Sequence, residues 1–277
     1  MLISTMKYED MYREIKNDFR ELISAVRDEE AKFHQFAKRA KHYPYGRVYS
    51  WHHPKSHNIY TYFFQVKRHS EWDKEPRRVI YTEFDDEGGK TTIAVVNAQS
   101  GIMQISIFRP HFFKRYYERN LAAVKGDVPD TEREIKLAFL SRTSTVVFLG
   151  NKVVTQNELD KEEPEFESDA MLTTEGLIFF KRLKANPNIK LFKTYIAPKD
   201  LYTEQYEHVL KYAIHMFYQC ALKDSPRYKK GIDKVYLDGI NELNSMLEND
   251  ELSFEEKQKL RISRYQAAID ELQKYTI

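Results

Sequence analysis

Apolar residues recur every three to four positions from Lys7 to about Ala40: Tyr8, Met11, Tyr12, Ile15, Phe19, Leu22, Ile23 and Val26, then Phe33, Phe36 and Ala37 beyond a charged interval at Arg27 to Glu30. That period puts them on one face of a helix, so the pattern predicts one long helix, or two consecutive ones, laid on a sheet. The tract Tyr43-Pro44-Tyr45-Gly46 ends it. From Arg47 to Phe108 the period falls to two, with Tyr60, Tyr62, Phe64 and Val66 sharing a side. Residues 78 to 85 and 90 to 97 flank a hairpin loop at Asp85 to Gly89, and Asn97 to Gly101 turns into a strand from Ile102 to Phe108. Together these predict an antiparallel meander of four or five strands.

Pro110 follows, suited to the first position of a helix, where its missing N–H costs nothing. A second helix is expected from Thr131 to about Ser141, because Thr131-Glu132-Arg133-Glu134 has the capping-box form. A short strand pair, Thr145 to Leu149 and Lys152 to Thr155, would turn at Gly150-Asn151. Residues 158 to 169 are mostly acidic and contain Pro164, which reads as a solvated loop. Strands resume at Met171 to Leu183 and at Ile189 to Ile196, joined by a turn at Ala185 to Asn188. From Asp200 onward the spacing is helical, with interruptions at Ser225-Pro226 and a capping box at Ser253 to Glu256.

The fold class read from this order is α+β. It comprises an N-terminal long helix or helix pair, an antiparallel meander sheet, a central helix pair with a second small antiparallel sheet, and a C-terminal three-helix segment. The corresponding division is residues 1–109, 110–199 and 200–277, three regions of one compact unit or separate domains.

Composition narrows the classes. Hydrophobic residues make up 42% and charged residues 31%, with 19 Tyr and 17 Phe, an aromatic-rich soluble composition. A formal charge of +2 gives no general basic field, so any binding of nucleic acid would rest on a local patch. The single cysteine, Cys220, rules out an internal disulfide and suits a reducing cytosol. Lys7, Glu9, Asp10 and Arg13 interrupt any signal-peptide core, and no run of about eighteen apolar residues occurs. The expected location is cytoplasmic, without a membrane span.

No Gly-rich phosphate loop, dinucleotide fingerprint, His-Glu-x-x-His, cysteine pair or Gly-x-Ser-x-Gly is present, so no cofactor and no metal are expected. His52, His53 and His57 read as an exposed strand-end loop rather than ligands, and His208 and His215 as packed or exposed helix residues. One stretch reads as a site. His111, Arg115 and Arg119 follow Pro110 at spacings of four, which aligns them on one helical face next to Arg109. A protonatable ring and fixed cations near unpaired N–H groups suit an anion, a phosphate or carboxylate above all. The competing account is an amphipathic helix with Phe112, Phe113, Tyr116 and Tyr117 toward the core and its basic residues solvated.

The His-x-x-x-Arg-x-x-x-Arg helix (His111, Arg115, Arg119), the short helix after it and the closing strand Leu191-Phe192-Lys193-Thr194-Tyr195-Ile196 are together similar to small bacterial toxin ribonucleases, the RelE- and BrnT-like group. The resemblance covers about residues 107–196. It implies a basic helix lying across a small antiparallel sheet whose last strands present a hydroxyl residue. His111 would then be the acid/base group, Arg115 and Arg119 the phosphate-stabilising cations, and Thr194 the hydroxyl. It implies metal-independent cleavage in which the substrate's own 2′-OH attacks the adjacent phosphate. The acidic tract, the N-terminal sheet and the C-terminal helices depart from that pattern.

Three function classes follow. The first is a non-enzymatic interaction or structural protein with a basic anion-binding helix. The second is an RNA-binding or ribonuclease module, and the third a small-molecule binding protein. The partner stays open among RNA, another protein and, through the long helix, a second copy of the chain.

Overall fold

A computed structural model describes residues 1–97, 102–120, 131–142, 145–148, 165–173 and 176–197. The expected C-terminal helices, Cys220, His208 and His215, the turn at Gly150-Asn151 and the strand at Lys152 to Thr155 lie outside the described residues. The chain divides into two compact units, Met1–Arg142 with Glu163–Glu167 and Phe180–Thr194 in one, the remainder in the other.

The first unit opens on a single helix, α1 (Tyr8–Arg39). Met11, Ile15, Leu22, Val26, Phe33 and Ala37 form its buried face. The charged interval at Arg27 to Glu30 does not break it, because those residues fall off that face. Glu30 pairs with Arg78 at 2.6 Å and Glu29 with Lys32 at 2.6 Å. Acidic Glu9 and Asp10 at its start and basic Lys38 and Arg39 at its end oppose the helix dipole.

Five antiparallel strands follow: β1 (Tyr45–His52), β2 (Ile59–Val66), β3 (Arg77–Asp86), β4 (Gly89–Asn97) and β5 (Met103–Phe108). The hairpin at Asp85 to Gly89 closes more tightly than a five-residue loop. Pairing reaches Asp86 with Gly89, leaving Glu87 and Gly88 as the turn. Gly88 takes φ +82°, which a side chain would resist.

Alternation decides the layers. Tyr60, Tyr62, Phe64 and Val66 share a side, and register carries it to Ile80, Ile93, Val95, Ile105 and Ile107. All are buried in one core with the α1 face, each fully buried large side chain stabilising by about 2 kcal/mol. The opposite side carries Phe108, covered by α2 (Pro110–Arg119) and α3 (Glu132–Arg142). Phe108 lies 5.0 Å from Phe112, 5.2 Å from Phe113 and 5.6 Å from Phe139, centroid to centroid. Such tilted and edge-on ring contacts add to the area they bury.

The capping box of α3 is present: Glu134 N donates to Thr131 Oγ1 at 3.2 Å and Thr131 N to Glu134 Oε2 at 3.4 Å. The expected second antiparallel sheet is corrected. Strand β9 (Asn186–Ile196) pairs in parallel with β5, Ile105 with Ile189 through Phe108 with Phe192, making the sheet of this unit mixed. The physical reason is burial on both faces. Leu191 continues the row of Ile107, Phe192 stacks on Phe108 at 4.4 Å, and the connection, which carries two helices and three further strands, is long enough for a parallel crossover. The turn before β9 is Lys184-Ala185, not Ala185 to Asn188, so Pro187 stands inside the strand next to its start, where a missing donor is tolerated.

Among the described residues, β6 (Thr145–Phe148) pairs antiparallel with β7 (Phe166–Thr173), Thr145 with Thr173 through Phe148 with Met171. The end of the acidic tract is therefore strand rather than solvated loop: Ser168 and Asp169 are buried, and Asp169 Oδ1 accepts from Ala170 N at 2.7 Å. The connection into β8 (Leu177–Leu183) passes Gly176, where an added Cβ would stand 2.7 Å from the Ile196 carbonyl oxygen. Because that neighbour is backbone, Gly176→Ala is expected to cost about 2 kcal/mol. A thermal melt unchanged by the substitution would refute the close approach.

Candidate functional site

The strand-to-helix junction positions the basic residues. Strand β5 ends at Phe108, Arg109 is the extended residue before the helix, and Pro110 opens α2. Phe112, Phe113 and Tyr116 go into the core, which turns His111 and Arg115 outward. Both reach the end of β9. His111 Nε2 lies 3.2 Å from the Lys193 carbonyl, and Arg115 donates to Thr194 Oγ1 at 3.0 Å. A carbonyl only accepts, so Nε2 holds the proton and Nδ1 is left as the acceptor of the neutral ring. Arg115 meets a neutral hydroxyl there, which fixes the guanidinium without cancelling its charge.

The remaining two predicted residues differ. Arg119, one turn beyond Arg115, is half-buried at the last position of α2 and is engaged within the protein. Arg109 donates to the Tyr8 hydroxyl at 3.0 Å, tying the junction to the start of α1. Arg109 and His111 also line a cavity of about 470 Å³ that extends to the β3–β4 turn, where Asp86 and Glu87 stand. His111, Arg115 and Thr194 are thus brought together on one exposed ridge, while Arg109 belongs to the cavity beside it.

No protein-family model and no curated protein sequence matches this chain.

Two polar clusters went unread in the sequence. The first centres on Asp18, which is 3% exposed on the apolar face of α1. Its Oδ2 accepts from Ser56 Oγ at 2.6 Å, Tyr60 OH at 2.8 Å and Asn58 Nδ2 at 2.9 Å. Burial, followed by the bond to Asp18, pushes the Tyr60 hydroxyl far above its ordinary range, so it stays a donor. His53, expected in an exposed loop, is 4% exposed and belongs to this cluster.

The cluster contains serine, histidine and aspartate but not a nucleophilic relay. Ser56 Oγ donates to Asp18, and the Ser56 and Asp18 contacts to His53 both fall on Nδ1, at 3.0 and 3.4 Å. Nδ1 also accepts from Ser56 N at 3.0 Å and Lys55 N at 3.3 Å, so the proton sits on Nε2, 3.3 Å from Glu21 Oε2. A relay needs the serine hydroxyl to give its proton to the ring, but Ser56 gives its proton to Asp18 and Nδ1 is already taken by two backbone N–H groups. This arrangement clamps the turn from His53 to Asn58 onto α1. A sequence signal existed: Asp18 falls in step with Met11, Ile15 and Leu22.

The second cluster holds α3 on the sheet. Lys136, 3% exposed, places Nζ 2.6 Å from Glu83 Oε1 and 2.5 Å from Glu132 Oε1. Thr92 Oγ1 adds a bond to Glu83 at 3.1 Å. Nearby Tyr81, buried against the same helix side of the sheet, has its hydroxyl pushed up to about 12, first by burial and then by Glu83.

Proposed function

We propose that this protein is a non-enzymatic binding protein that holds an anionic group, the phosphate of an RNA strand, on the ridge formed by α2 and the end of β9. The observation that carries this reading is the pair of bonds from exposed α2 side chains to β9: Arg115 to Thr194 and His111 to Lys193. They hold the Arg115 guanidinium and the His111 ring of one helical face in a fixed relation, which lowers the ordering cost of gripping a phosphate through the guanidinium N–H groups that do not reach Thr194. His111 Nε2 donates to main chain, a contact that favours orientation over proton transfer. Phosphate contacts position a strand without reading its sequence, so modest, salt-dependent affinity with little sequence preference is expected.

One observation favours a second reading, metal-independent RNA cleavage. His111, Arg115 and Thr194 are the acid/base group, cation and hydroxyl that the toxin-ribonuclease resemblance implies, and they meet on one ridge.

Fluorescence anisotropy with a labelled single-stranded RNA in EDTA tests both. Arg115→Ala is expected to weaken binding about tenfold, the loss of a charge-assisted contact. The RNA should remain intact throughout. Cleavage by the parent but not by His111→Ala would replace binding with catalysis. Equal affinity of parent and Arg115→Ala would remove the ridge from the account.

A further inference from the structure

Strands β3 and β4 separate before either of them ends. Their pairing runs from the turn only as far as Tyr81 with Ala94, yet β3 begins at Arg77 and β4 continues to Asn97. Each separated arm is held extended from its outer side. Val79 and Ile80 pair with Phe63 and Tyr62 of β2, and Val95 and Val96 with Ile105 and Gln104 of β5. Among the described residues no backbone bond joins Val79 or Ile80 to Val95 or Val96. The sheet is therefore forked here, between two well-paired arms. A cavity of about 340 Å³ lies in the fork, lined by all four of these residues. Ile23 of α1 and Leu140 of α3 line it too, and since those helices cover opposite faces, the cavity spans the thickness of the sheet.

We infer that this fork binds an extended peptide segment of a partner protein, which enters between β3 and β4 as an added strand. A strand residue sends its N–H and C=O to one side, and its neighbour sends them to the other. One of Val79 and Ile80, and one of Val95 and Val96, thus present both groups to the cavity. Main chain on both walls calls for a ligand with donors and acceptors along each edge, which is what another strand supplies. Because β2 and β5 already hold the arms extended, little ordering cost remains for the protein. Side chains of the added strand alternate between the two layers. Half-buried Ile23 on one side, and exposed Val96 with half-buried Leu140 on the other, favour apolar ones. Near the mouth Glu30 and Glu75 flank Arg78 at 2.6 and 3.7 Å, an excess of negative charge that favours a lysine beside the apolar run. The site is independent of the ridge, since no residue of α2 or β9 lines the cavity.

Amide exchange followed by NMR, with and without the probe Ac-Lys-Val-Val-Val-amide, tests it. In the free protein one amide of each pair, Val79 or Ile80 and Val95 or Val96, is expected to exchange at least about tenfold faster than its neighbour. The probe should slow both of these fast amides. N-methylation of its middle valine removes a donor and is expected to weaken binding about fivefold or more, the loss of one hydrogen bond. Val96→Lys, at an exposed position, should weaken it by a similar factor with an unchanged melting temperature. Arg115→Ala should leave it unchanged, so failure here and failure of the ridge separate cleanly. Slow exchange at all four amides of the free protein would show the fork closed by the chain itself and overturn the inference. So would exchange unaltered by the probe at about 10 mM, an affinity no tighter than about millimolar. Equal binding of the N-methylated peptide, or a Val96→Lys variant of unaltered affinity, would overturn it as well.

Discussion

Asp18→Ala is expected to lower the unfolding free energy by about 4 kcal/mol, more than any other single substitution considered above. The carboxylate takes three hydrogen bonds on one oxygen, from Ser56, Asn58 and Tyr60, and stands beside His53 on the other. Removing it leaves the buried Tyr60 phenol without its acceptor and the Asn58 amide with only its bond to Glu14, and each lost bond costs desolvation. Tyr60→Phe, which removes one donor and keeps the ring, should cost only about 1 kcal/mol. Urea unfolding at neutral pH measures both. A loss below about 1 kcal/mol for Asp18→Ala would mean that the cluster is not the clamp described, since that is the worth of one ordinary hydrogen bond.

The triad of Glu83, Lys136 and Glu132 should respond asymmetrically. Lys136 is 3% exposed, whereas the side chains of Glu83 and Glu132 are 25% and 64% accessible. Removing both carboxylates together, Glu83→Ala with Glu132→Ala, strands an ammonium where water does not reach, for an expected loss of about 4 kcal/mol. Lys136→Met strands two carboxylates that water can still solvate. Its methylene length is retained over Phe113, so about half that loss is expected. Denaturation midpoints of the two variants decide the order. A larger loss for Lys136→Met would show that lysine packing, not charge compensation, fastens α3 to β3.

Which features could be read from the chain follows from their range. Helix α1 and the meander were legible because their signals are local: a period of three to four along Met11 to Ala37, then a period of two along Tyr60 to Val66. The Pro110 helix start and the Thr131 capping box were legible for the same reason, as each is a short pattern that satisfies its own backbone. The parallel pairing of β5 with β9 was not, because Ile105 and Ile189 are far apart in sequence and nothing in either strand names its partner. The start of strand β7 was hidden by composition: Glu167 and Asp169 read as solvated, although Asp169 is buried with Ser168.

The candidate site divides along the same line. Spacing alone aligned His111 with Arg115, but their meeting with Lys193 and Thr194 depends on that unreadable long-range pairing. Arg119 shared the spacing, yet lies at the helix end, half-buried and engaged within the protein. Asp86 and Glu87 were visible only as turn residues, because a charge lining a cavity looks the same in sequence as one in water. Asp18 was the exception, a polar residue in step with an apolar stripe, which marks either an error of register or a buried network.

The ridge is tested most directly by following the Arg115 side-chain Nε–H and the His111 ring protons by NMR while a short single-stranded RNA is added at low salt. The account predicts that both sets of signals shift together along one binding curve, that signals from the Asp18 cluster stay in place, and that added salt reverses the change. Saturable RNA binding that leaves Arg115 and His111 unmoved would contradict it.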